Sequence, residues 1–172
     1  MPVGHCGADS CTITPDGVIH FVDFVHPGRL PMCNVSGVQN MTGYLEFLRR
    51  VAVEKDWTMA NLGHANVGCM ADVTRTLNYF RDLYDHWFEV LPPFSTQMLA
   101  NGPQNHGVLI RNFMDMAAEM VAKRAQGKWG HITHFEVARD HAEAVGWDFF
   151  LNYDFIGNRE VRPDFDPINA PT

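Results

Sequence analysis

No run of about eighteen apolar residues occurs in the 172 positions, so no stretch reads as a membrane span. The opening MPVGHCGADSCTITPDGVIH lacks the basic and apolar regions of a secretory signal, and a cytoplasmic protein is expected. Basic residues are scarce as well. Thirteen Lys and Arg against twenty Asp and Glu give a formal charge of −7, and no basic run marks the electrostatic footprint of a general nucleic-acid binder. The four cysteines, Cys6, Cys11, Cys33 and Cys69, include no CxxC pair and are expected reduced, with Cys6, Cys11 and the adjacent His5 read as an ordinary chain terminus. The Lys-Ser/Thr ending of a phosphate-binding P-loop is absent too.

What is present is apolar content, histidine and two kinds of periodicity. Hydrophobic residues make up 46% of the chain, enough for a sizeable core, and a single domain is expected over 1–157. From Thr12 the chain reads as β: TIT, a turn at Pro15-Asp16-Gly17, then VIHFVDFV with His20, Val22 and Phe24 on one face. Leu30 to Val38 is ambiguous, with a short strand as one reading. Helical spacing follows. Tyr44, Phe47, Leu48 and Val51 share a face of a helix from near Gly43 to Asp56. Thr58 to Ala71 is rich in small residues, and Gly63 and Gly68 permit close approach of the backbone to a helix or a ligand.

Asp72 is expected to cap the strongest helix, whose apolar positions Val73, Leu77, Phe80, Tyr84, Trp87, Phe88 and Leu91 lead to a stop at Pro92-Pro93. A second stripe, Tyr79, Leu83, His86 and Val90, makes this helix apolar almost all round, hence central or packed on another subunit. His86 is read as core filler. Ser95 is expected to open one turn ending at Asn101-Gly102-Pro103. The next helix runs from about Gly107 to Ala125, with Leu109, Phe113, Met116 and Met120 on its apolar face and Gly127 closing it. Met114, Met116 and Met120 are adaptable side chains for an apolar lining or a core.

The Gly130–Gly157 stretch supplies the site. Thr133-His134-Phe135-Glu136 has the spacing of a capping box, and Phe135, Ala138, Ala142 and Val145 form a stripe of a helix expected to end near Gly146. His134 and His141 fall on the apolar side, about 10 Å apart in rise, with the small Ala138 between them. Imidazole titrates near neutrality, so His134 and His141 are candidate acid–base residues, against the alternative of core histidines bonded to backbone. His106, beside a helix N-terminus where the dipole lowers an imidazole pKa, is the third candidate. A metal such as iron, zinc or manganese requires His64, His106, His131, His134 and His141 to gather, with Asp140 or Glu143 available beside them. Seven-residue spacing alone does not bring two imidazoles onto one ion.

After Gly146 the period turns to two: Trp147, Phe149, Leu151, Tyr153 and Phe155 alternate with a more polar set, as in a half-buried strand. The expected fold is therefore α+β, three to four helices on a small sheet formed by N-terminal and C-terminal strands. Residues 158–172, with three prolines and Val161, Phe165 and Ile168 as anchors, read as an extended arm that docks on a neighbouring subunit or on the chain's own helices.

Two short fragments, VSGV at 35–38 and PPFST at 92–96, resemble the small trimeric imine and enamine deaminases, in which a strand-SG turn and an Arg-Ser pair build the site. Phe94 stands where that arginine would be. The resemblance implies a final strand over Val108–Ala125, a segment whose spacing is helical.

The function expected is a small-molecule enzyme, or the site-bearing subunit of one, using a histidine-lined apolar or aromatic pocket. The alternatives are an accessory subunit of a larger enzyme complex and a deaminase-like protein. A homo- or hetero-oligomer is expected in either case.

Overall fold

In the computed structural model residues 10–30, 38, 40–63, 66–100 and 106–152 are described, and over 91–100, at 106, 108 and 109, and over 149–152 the backbone alone. The elements are β1 (Thr12–Ile13), β2 (Val18–His20), α1 (Met41–Val53), β3 (Met59–Asn61), α2 (Met70–Ala100), α3 (His106–Trp129) and α4 (Phe135–Asn152). The α+β class is as expected: among the described residues there are four helices and one three-stranded sheet. Contacts divide the chain into two compact units, with the division between Tyr79 and Phe80. The expected arm over 158–172 lies outside the described residues.

In the first unit β1 and β2 form the expected hairpin, with Thr12 opposite His20 and Ile13 opposite Ile19. Pro15 and Asp16 occupy the corners of the turn. Gly17 closes it at a φ of 79°, donating to the Thr14 carbonyl at 3.0 Å, because the three-residue loop needs a left-handed residue before the second strand. β2 is shorter than VIHFVDFV suggests, yet burial goes on alternating past it, Phe21 buried and Val22 exposed; Asp23 then turns the backbone at a φ of 66°, after which Phe24 and Val25 are both buried.

The third strand corrects the expectation of a sheet built from the two chain ends. β3 pairs in parallel with β2, Ile19 opposite Ala60, after a crossover through α1. The C-terminal stretch read as a strand is helical to Asn152, and 153–156 lie outside the described residues. Leu30 is buried, while 31–37 lie outside the description.

Helix α1 begins where the Asn40 side chain accepts from the Gly43 N–H at 2.9 Å, and its expected face is buried, joined by Met41 and Leu45. That face meets the segment after β2. Phe24 stacks on Tyr44 and Phe47 with ring centroids 4.8 and 4.2 Å apart, and the Tyr44 hydroxyl donates to the Phe24 carbonyl at 2.6 Å. Gly63 and Gly68 do allow a close approach, and the protein fills it itself: a Cβ at Gly63 would stand 2.6 Å from Val22, and one at Gly68 2.7 Å from Leu62.

Helix α2 starts three residues earlier than expected. Cys69 holds the cap position, its carbonyl accepting from the Asp72 and Val73 N–H groups. Asp72 sits in the first turn, and its carboxylate reaches back to the Cys69 N–H at 2.9 Å and also pairs with Arg75. Burial pushes the Asp72 carboxyl up, but the Cys69 N–H, the Arg75 side chain and the Cys69 thiol outweigh it, and the net shift is downward. The stabilisation from this carboxylate is therefore present above its unfolded value near 3.8 and lost as pH falls through the lower folded value. Asp72→Ala is expected to cost about 1 kcal/mol at pH 7, and urea melts should show the difference from the parent chain shrinking below about pH 4. An undiminished difference in acid would show that the charge is not what matters there.

The stop expected at Pro92-Pro93 does not occur. α2 runs on to Ala100 although the two prolines remove two N–H donors from its ladder, and Ser95, expected to open a separate turn, lies inside it. Both apolar stripes of this helix are used within the chain: Val73, Leu77, Tyr79, Phe80, Leu83, Tyr84, Trp87 and Val90 are all buried. Helix α3 likewise passes Gly127 to Trp129, and its buried face keeps only Phe113 of the predicted one among the described side chains. Phe113, Ala117, Val121, Ala125 and Trp129, with Met114, Ala118 and Ala122 beside them, form the inner side, whereas Met116 and Met120 are 56% and 39% exposed. The bulky methionines drew the predicted stripe outward, while alanine, which lets helices approach closely, marks the true one.

Candidate functional site

In the second unit one face of α4, His141, Val145 and Asp148, lies at the i, i+4, i+7 spacing of a single helical stripe, and all three are buried. It meets Phe80, Tyr84 and Trp87 of α2, which have the same spacing. The Phe80 and His141 rings stand 5.7 Å apart, and the Tyr84 hydroxyl donates to Asp148 Oδ2 at 2.6 Å. The Trp87 indole N–H donates to the Ala142 carbonyl at 2.8 Å. Gly146 permits this contact, since a Cβ there would lie 2.2 Å from Trp87 Cζ2. The glycine that reads as a helix terminator is therefore a seat for an indole, and α4 continues through it.

The entry to α4 also differs from expectation. The helix begins at Phe135, the His134 carbonyl accepts from Ala138, and the Thr133 hydroxyl is directed at the His134 carbonyl at 3.4 Å instead of forming the capping box. The Thr133 carbonyl is taken by the Gln126 amide at 3.2 Å, which ties the α3–α4 connection to the last turns of α3.

The sequence-predicted histidines are distributed as follows. His141 has no exposed surface, and desolvation lowers its pKa from 6.5 to about 3, so at neutral pH it is an uncharged imidazole. His134 is exposed, as is His131. His106 is the first residue of α3, and its side chain lies outside the description, as does His64. His86, expected to fill the core, retains 26% side-chain exposure, with its Nδ1 3.9 Å from Glu89. Among the described residues no three of His, Cys, Asp and Glu are grouped to hold a metal ion. The described thiols, Cys11 and Cys69, are free.

Charged pairs fix the rim of this packing. Asp82 on α2 accepts from Lys128 at 2.6 Å and from the Trp129 indole at 2.8 Å, and Glu89 pairs with Arg124, so α2 and α3 run antiparallel with residue 82 beside 128 and residue 89 beside 124. Arg139 of α4 reaches Asp115 of α3 at 3.7 Å.

Tyr84 and Asp148 are the members of this cluster that were not among the sequence candidates. Tyr84 counted as core, and Asp148 fell on the polar side of the supposed strand. Continuing the helical phase past Gly146 would have placed Asp148 in line with His141.

Family models, curated proteins and solved structures yield no match to this chain. The deaminase resemblance gains no support from the geometry. Positions 92–96 lie within α2, α3 occupies Val108–Ala125 where the final strand is implied, and 35–37 fall outside the described residues. Among the described residues no helix is long and apolar enough to cross a membrane.

Proposed function

We propose that the chain is a small-molecule enzyme, or the site-bearing subunit of one, whose site lies where α4 meets α2 and takes a modest apolar or aromatic molecule carrying one polar group. The observation that carries this reading is the placing of three hydrogen-bonding side chains, His141, Tyr84 and Asp148, in a buried cluster otherwise made of Phe80, Trp87, Val145 and Ala142. Binding sites for small molecules have this character, mostly apolar with a few placed polar groups. A neutral imidazole supplies both a donor and an acceptor, and the Asp148 carboxylate orients the Tyr84 hydroxyl. An imidazole with a pKa near 3 is a weak base at neutral pH, so acid–base use of His141 requires a substrate whose entry returns polarity to the ring.

Indole, phenol and benzoate are suitable probes. Each should shift the Trp87 indole and His141 imidazole resonances saturably at up to about 1 mM, and Tyr84→Phe should weaken that response about tenfold while the far-ultraviolet spectrum is kept. Resonances unmoved by all three probes would make the cluster a packed core and nothing more.

One observation favours the accessory reading: Met116 and Met120 lie one turn apart on the outer side of α3, substantially exposed. Light scattering after size exclusion tests it. A Met116→Lys, Met120→Lys double variant should lower the assembled mass, and a parent chain that is monomeric at all concentrations would remove the assembly role.

A further inference from the structure

We draw no further inference here: the strongest candidate, the Cys69, Asp72 and Arg75 cluster at the N-terminal end of α2, is a lone cysteine at a helix end and no second observation among the described residues points to a ligand there.

Discussion

Gly146→Ala should destabilise the chain by about 1–3 kcal/mol, although the same change in an open helix would stabilise it. The added methyl group would lie 2.2 Å from Trp87 Cζ2 and 2.7 Å from Cη2, well inside contact distance. The ring has no easy retreat, because its N–H is held by the Ala142 carbonyl one turn before the glycine and the whole side chain is buried. Gly127 is the internal control. It sits in α3 with nothing within 4 Å of a built Cβ, so Gly127→Ala should gain about 0.5–1 kcal/mol from lower backbone entropy in the unfolded chain. Paired urea melts of the two variants should therefore move in opposite directions. Trp87→Leu should remove most of the penalty of Gly146→Ala in a double-mutant cycle. Equal, small effects at both glycines would mean that the indole is not seated on Gly146.

Both glycines read as helix terminators, and both helices pass through them. Local signals were legible: Pro15-Asp16-Gly17 made its hairpin, and Tyr44, Phe47, Leu48 and Val51 gave the buried face of α1. The failures share a cause, which is that the deciding partner is distant in sequence. Gly146 reads as a stop because nothing nearby reveals Trp87, and Asp148 reads as solvent-facing because its Tyr84 partner lies 64 positions away. An aromatic-rich stretch such as Trp147–Leu151 fits a period of two or of 3.6 over so few residues, and packing decides between them. Strand β3 was missed because three residues, Met59–Asn61, carry almost no periodic signal and are defined by pairing with β2.

Between pH 6.5 and about 3, burial of His141 should weaken the parent chain by about 1.4 kcal/mol for each pH unit, and His141→Leu should remove that contribution. Burial lowers the His141 pKa to about 3, so the folded chain keeps the imidazole neutral while the unfolded chain protonates it from near 6.5 downward. Above pH 6.5 both states carry a neutral ring and the group has no linkage effect. Between 6.5 and about 3 the unfolded state binds the extra proton, and stability falls as pH falls. Asp72 and Glu46, whose carboxyls are also lowered, lose their contributions from their ordinary values of 3.8 and 4.5 downward. The interval from pH 6.5 to 5 lies above the ordinary values of both carboxyls and so separates His141 from them. Urea midpoints at half-unit steps, compared between parent and variant, measure it directly. A variant that keeps the full slope would place the proton uptake elsewhere.

The candidate histidines were legible as residues but not as a set. Helical phase put His134 and His141 on one side of α4, yet His134 precedes the first turn and is exposed, so burial separates what the spacing had joined.

The crossover from β2 through α1 to β3 also bears on how the first unit assembles. The hairpin closes over a three-residue loop, so its ends meet at little entropic cost. Pairing Ile19 with Ala60 closes a loop of about forty residues and gains little until α1 has formed and covered Phe21 and Phe24. That asymmetry predicts an order of events for stopped-flow or hydrogen-exchange labelling to check: hairpin first, α1 docking next, β3 last. Until that step the edge of β2 that receives β3 stands open, so the partly folded chain offers an unpaired strand edge to other copies that the native sheet fills.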